Sequence, residues 1–162
     1  MNEDIGRLGI LQEVEMPELP KMIFMSDDNS PHMHFEKVLH FYEKVIITDV
    51  FIKNPETGTL CLVPALWDTG ATNTGIRAET AKQLNLKYIG QKDNMTADLR
   101  VNTYDVYLTS VSDKANGYYI NVKSIAIPTP VEYSVIIGMD IISQGTFKLV
   151  KKGTDLLFTF DI

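Results

Sequence analysis

The sequence predicts a mostly-β domain with one or two short helices. Short runs rich in Val, Ile, Thr and aromatic residues recur along the chain, and turn sequences separate them every 8 to 12 residues or so. Helical patterns are brief and few. A barrel and a sandwich satisfy this pattern equally.

The elements follow in order. Residues 1–30 read as a polar extension in which Pro17, Pro20 and the Ser26–Pro31 run resist regular structure, with one short apolar patch at Met22–Met25. Phe35 to Lys44 fits two descriptions: Phe35, Val38, Leu39 and Tyr42 keep helical spacing, while the aromatics and the β-branched run that follows favour a strand. Val45 to Ile52 predicts a strand, Asn54-Pro55-Glu56-Thr57-Gly58 a turn, and Thr59 to Leu66 the returning strand. Arg77 to Leu84 predicts a short helix. Val101 to Val111 alternates as a strand, and Asp113 to Gly117 predicts a hairpin turn whose Asn116-Gly117 pair suits positive φ. Tyr118 to Ile127 pairs back, and Pro128-Thr129-Pro130 ends it. Ser134 to Ile137 predicts a buried strand entering one helical turn at Gly138–Ile142. Thr146 to Val150 and Leu156 to Phe160 complete the chain around a Lys152–Asp155 turn.

Composition narrows the functional classes. The 162 residues suit one domain, with 44% hydrophobic and 22% charged residues. Fifteen basic against twenty-one acidic residues give a net charge of −6 with no basic run, which argues against sequence-independent nucleic-acid binding. One cysteine, Cys61, allows no internal disulfide and no Cys-based zinc site. The N-terminus lacks the basic start and apolar core of a secretory signal, and no apolar run approaches the roughly 20 residues of a membrane span. A cytoplasmic, membrane-free protein is the expectation.

The chemistry concentrates at Asp68-Thr69-Gly70-Ala71, which follows the apolar run Val63–Trp67. An Asp-Thr-Gly triplet alone is weak evidence, since composition produces one in about 30 chains of this length. Its context is stronger: Thr74 and Ile76 follow closely, and a second apolar strand ends in Ile136-Ile137-Gly138 about 70 residues later. An ordinary strand-end turn explains the triplet but not this combination.

Leu66-Trp67-Asp68-Thr69-Gly70-Ala71-Thr72-Asn73-Thr74-Gly75-Ile76 resembles the active-site motif of the retropepsin-like (retroviral-type) aspartic proteases. Val135-Ile136-Ile137-Gly138-Met139-Asp140-Ile141-Ile142 resembles their second signature, a strand entering a short helix. The Gly-Met-Asp sequence sides with the bacterial and cellular branch. Viral members carry an acidic residue after the Ala and an Arg after the second Gly; Thr72 and Met139 stand there in this chain. The resemblance implies a closed β-barrel of the retropepsin type over residues 41–162, with 1–40 an N-terminal extension of unknown role. It implies Asp68 as the catalytic carboxylate, Thr69 and Gly70 as its support, and Ala71 and Thr72 at the substrate. A flap hairpin is implied near Lys92 to Val101, with Asn94, Thr96 and Asp98 at the substrate too, although this stretch lacks the glycines of a mobile flap.

Peptide hydrolysis by carboxylates needs two of them, one ionised as base toward water and one protonated as acid toward the carbonyl oxygen. Like charges so close share one proton and titrate as a unit. The chain holds no second Asp-Thr-Gly or Asp-Ser-Gly. A catalytic Asp68 therefore requires Asp68 of a second copy on a two-fold axis, and the expected unit is a homodimer acting on a peptide or an exposed loop. By the same resemblance Leu156–Ile162 takes the place of the dimer sheet, and no metal or organic cofactor is implied. Ala71 offers the carboxylate no hydroxyl donor, which predicts a weakly acidic to near-neutral pH optimum. The alternative is a catalytically silent dimerisation or peptide-binding module on the same fold.

Other polar residues read more plainly. His32, His34 and His40 have no acidic or cysteine partner at ligand spacing and read as solvated. Cys61 reads as a buried core thiol, Asp140 as a structural residue suited to a helix start, and Tyr104, Tyr107, Tyr118 and Tyr119 as packing residues.

Overall fold

A computed structural model of the chain describes residues 32–95, 100–128 and 132–162. The apolar patch at Met22–Met25, most of the expected extension, Thr96, Asp98 and the Thr129-Pro130 part of the expected break lie outside the described residues. The described chain is mostly β with two short helices: β1 (His34–Leu39), β2 (Ile46–Lys53), β3 (Leu60–Trp67), β4 (Gly75–Arg77), α1 (Ala78–Gln83), β5 (Tyr88–Met95), β6 (Val101–Ser112), β7 (Ile120–Ile127), β8 (Val135–Ile137), α2 (Met139–Ile142), β9 (Thr146–Lys152) and β10 (Asp155–Asp161).

Seven strands form one sheet in the order β2-β3-β8-β4-β7-β6-β5, and β2 also pairs with β6, Phe51–Lys53 against Ser110–Ser112. The second pairing makes the strand order return on itself. It also buries both faces of β6 from Thr109 to Ser112, where hydroxyls satisfy one another: Thr109 Oγ1 meets Ser124 Oγ at 2.5 Å. The other sheet has three strands in the order β1-β10-β9.

β1 settles the ambiguous stretch as a strand. Phe35 and Leu39 alternate inward at 6% and 4% exposure, and the strand pairs with β10, Phe35 opposite Phe160 and Leu39 opposite Leu156. The expected division at residue 41 falls in the turn just after this strand. β10 is hydrogen-bonded on both sides within the chain. The segment expected to supply a dimer sheet thus has no free edge, because β1 and β9 occupy both. The histidines are exposed, yet His34 Nδ1 lies 2.5 Å from Asp161 Oδ1, and His40 Nδ1 lies 3.4 Å from Asp155 Oδ2. These contacts bracket β1 at its two ends. In the following turn Glu43 accepts the His40 N–H at 2.8 Å and meets Lys37, and the two together lower its pKa.

The core gathers around Trp67, the last residue of β3. Phe35, Phe158 and Phe160 place their rings 5.1, 5.1 and 4.9 Å from it, and its Nε1–H donates to Thr48 Oγ1 at 2.9 Å. This cluster joins the two sheets. Phe158 is fully buried within it.

Turns follow local chemistry with one correction. Gly58 and Gly153 take positive φ (77° and 65°) at the expected turns. Asn116 and Gly117 do not. The 113–119 connection is long enough to close without a tight hairpin turn, and Ser112 Oγ accepts the Lys114 N–H while Tyr119 Oη donates to Ala115 O. The buried Asn54 has a role that sequence reading missed. Its Nδ2 donates to Leu84 O and Asn85 O at 3.1 and 2.7 Å, satisfying the end of α1, while Oδ1 accepts from Glu56 N–H.

Two predictions follow. Phe158→Ala empties the aromatic cluster and is expected to lower stability by about 3–5 kcal/mol in urea titration. Cys61 is half-buried against the core, and burial pushes its thiol up to about 11. Alkylation at pH 8 should run roughly a hundredfold slower than for an exposed thiol, and match it once urea unfolds the chain.

Candidate active site

The loop after β3 owes its shape to strand order. β3 and β4 are consecutive in sequence, but β8 lies between them, parallel to β3 and antiparallel to β4. The 68–74 loop therefore wraps the end of β8 and is bonded to it. Asp68 N–H donates to Ile137 O at 3.0 Å, and Met139 N–H donates to Ala71 O at 2.8 Å. The two apolar signature segments read from the sequence thus meet in one structure.

Within the loop, Gly70 N–H donates to Asp68 Oδ1 at 2.8 Å and Ala71 N–H to Asp68 O at 3.1 Å. The first bond orients the carboxylate. A Cβ at Gly70 would stand 3.1 Å from Asp68 Oδ1 and force the carboxylate to shift. Asp68 is half-buried, whereas Thr69 and Gly70 are exposed at the tip. The arrangement presents one carboxylate and one hydroxyl at the molecular surface.

The base of the loop is clamped by Asp140. Both its carboxylate oxygens lie 2.9 Å from Thr74 N, and Thr74 Oγ1–H donates to Oδ1 at 2.7 Å. Thr74 Oγ1 in turn accepts Gly138 N–H at 3.3 Å. Asp140 does begin α2, as a structural reading expects, but its main partner is Thr74, a buried residue that sequence reading left without a role. The signal was present: a hydroxyl residue six positions after Asp68 and a carboxylate two after Gly138. Gly138 packs so closely that a Cβ would come 2.5 Å from the Asn73 carbonyl carbon, so no other residue fits without backbone movement.

A hairpin of β5 and β6 covers one side of the loop, paired from Tyr88–Tyr107 to Met95–Val101. It begins four residues earlier than the expected flap, and its glycine is at the base. Gly90 takes φ 135° where the register shifts, a bulge that bends the strand. Beneath the hairpin lies a hollow of about 150 Å³ lined by Gly70, Ala71, Thr72, Asn94, Met95 and Ile136, among others. The structure thus brings Ala71, Thr72 and Asn94 to one hollow, and Thr96 and Asp98 lie outside the described residues. A Cβ at Gly75 would meet Ile127 Cδ1 at 2.3 Å, so a larger residue there would turn the Ile127 side chain, which forms part of the hollow's wall.

Among the described residues, no group of three or more His, Cys, Asp or Glu is arranged to hold a metal ion, and no helix is long and apolar enough to cross a membrane. Removing the clamp should be costly. Asp140→Ala leaves the Thr74 N–H and hydroxyl without their acceptor and is expected to lower stability by about 2–4 kcal/mol in urea titration, with Asp140→Asn milder.

Comparison with known proteins returns the family that the two signatures resemble. Residues 58–141 match the family described as aspartyl protease. Among solved structures, a retropepsin-like aspartic protease from Rickettsia conorii is similar over 80% of this chain and 94% of its own, at TM-score 0.49 and 16% identity. The retroviral protease-like domain of Ddi1 from Leishmania major is similar over 71% of this chain and 95% of its own, at TM-score 0.41 and 18% identity. No curated protein sequence matches the chain. The family match spans just over half of the 162 residues and contains both the Asp68 loop and the Gly138 segment bonded to it: the chain belongs to the aspartyl protease family.

Proposed function

We propose that this protein is an aspartic endopeptidase working as a homodimer, with Asp68 of each copy forming the catalytic pair. The observation that carries the reading is the Asp68 loop itself, a surface carboxylate oriented by Gly70 N–H and braced by β8 through Ile137 and Met139. Among the described residues Asp140, a second carboxylate bonded to this loop, is occupied by Thr74. A second copy supplies the partner most simply, because a two-fold axis through the exposed loop tip brings Asp68 to its own mate.

In this mechanism the two carboxylates share one proton. The ionised one takes a proton from the water held between them as that water attacks the scissile carbonyl carbon. The protonated one gives its proton to the carbonyl oxygen, and a tetrahedral diol forms. Collapse of the diol breaks the C–N bond, with a proton returned to the leaving nitrogen. Thr69 and Gly70 hold the loop, and Ala71 and Thr72 line the cleft. The β5–β6 hairpin, with Asn94, Thr96 and Asp98, covers an extended peptide by strand-like contacts. The chemistry draws on two carboxylates and water, with no metal or organic cofactor. The return of strand order from β6 to β2 supports reading the larger sheet as a closed barrel, and the cytoplasm remains the proposed location on sequence grounds.

The test is cleavage of denatured casein by the wild type and by Asp68→Asn, which keeps the shape and cannot share the proton. Activity should fall by at least about 10³-fold, in line with loss of an acid–base group. Specific activity should also drop on dilution below the dimer dissociation constant. Equal rates for the two proteins would refute the assignment, and absence of turnover in a stable wild-type dimer would favour the silent peptide-binding module.

A further inference from the structure

A second, larger cavity of about 510 Å³ opens between β5, β7 and α2, lined by Gly90, Lys92, Asn121, Lys123, Asp140 and Gln144, among others. It shares Asn73 as a lining residue with the 150 Å³ hollow, and Lys92 Nζ donates to Asn73 Oδ1 at 2.7 Å. We propose that this cavity is a subsite for an acidic side chain of a bound extended peptide, received by Lys92 and Lys123. The proposal deepens the peptidase reading and rests on it only for the occupant, a peptide lying along the hairpin.

Charge supports the assignment. Neither lysine meets a carboxylate within ion-pair distance among the described residues; Lys92 has only the neutral Asn73 amide, and Lys123 is exposed without a side-chain partner. The one carboxylate in the wall, Asp140, is turned to Thr74, which gives it both a backbone and a hydroxyl donor. Gln144 Nε2 is engaged with Asp140 O at 2.6 Å. The cavity wall therefore carries two lysines against one carboxylate, a local excess of positive charge on a chain whose net charge is −6.

Geometry fixes the spacing. Lys92 opposes Tyr104 and Asn94 opposes Asn102, so Lys92 and Asn94 share one face of the hairpin two residues apart. Asn94 lines the smaller hollow, with Met95, Ile125, Ile127 and Ile136, and Lys92 lines the larger cavity with Lys123. A peptide extended beside β5 repeats this period. An aliphatic side chain in the hollow then places the side chain two positions along at the lysines. The predicted recognition element is an aliphatic residue and a Glu or Asp separated by one residue.

The experiment uses full-length Asp68→Asn and fluorescein-labelled extended peptides bearing one Leu and, two positions away on either side, Glu, Gln or Lys. Binding is read by fluorescence polarisation. Glu should bind about three- to fivefold tighter than Gln at low salt, the scale of partly exposed ion pairs, with the ratio falling toward 1 in about 0.5 M salt. Lys123→Gln alone should reduce the Glu-to-Gln ratio, Lys92→Gln with Lys123→Gln should bring it to about 1, and Lys123→Glu should invert it, circular dichroism confirming the fold of each. A ratio of 1 in the Asp68→Asn protein, a ratio untouched by the lysine variants, or no binding of any peptide would overturn the proposal. Casein cleavage by the wild type separates the two readings. A lysine-dependent Glu preference without any cleavage would sink the peptidase and leave the subsite, and cleavage with a ratio of 1 would do the reverse.

Discussion

The whole site depends on one close approach, the seat of Gly138 against the backbone of Asn73. A single added carbon at this point would meet the Asn73 carbonyl at 2.5 Å. Because the space is empty, β8 can enter between β3 and β4, and the loop that joins those two strands can wrap its end. The hydrogen bonds that tie the loop to β8 and α2 then follow: Asp68 N–H to Ile137, Met139 N–H to Ala71, and the Thr74 donors to Asp140. The carboxylate is positioned by backbone more than by side chains.

The second sheet serves the same loop from behind. β1, β9 and β10 contribute Phe35, Phe147, Phe158 and Phe160 around Trp67, and Trp67 is the residue immediately before Asp68. A large side chain held on several sides removes freedom from the strand end, so the loop begins from a fixed point. Packing far from the surface thereby contributes to the precision of the surface carboxylate.

Legibility in the sequence tracked how local the deciding interaction was. The Val45–Leu66 hairpin, the Arg77–Leu84 helix and the Ile137–Ile142 entry into α2 declared themselves through short-range pattern and turn chemistry. β1 did not, because Phe35, Val38, Leu39 and Tyr42 suit either period, and the choice was made by a partner strand more than a hundred residues away. β4 was missed because three residues carry no period. β5 was missed over Tyr88–Gln91 because most of it is exposed on both faces, so no burial pattern marks it. At the site, Asp68 and its neighbours were legible as a motif. The Asp140–Thr74 clamp was not, since a carboxylate at a helix start already has a sufficient local explanation. The Asn116-Gly117 expectation failed for a related reason: the pair favours positive φ only where a two-residue turn demands it.

The pairing of β1 with β10 also bears on how the chain is made. His34 lies opposite Asp161, so the first described strand finds its place only when a strand more than a hundred residues later has arrived. On a ribosome, the larger sheet can begin to assemble while Phe35 and one side of Trp67 wait uncovered, and the wait lasts until the β9–β10 hairpin emerges. High contact order makes that closing step slow in free solution as well. The nascent chain is thus exposed to aggregation and to proteolysis for longest at the spot that later anchors the Asp68 loop, and the pairing of β1 with β10 is the event that commits it.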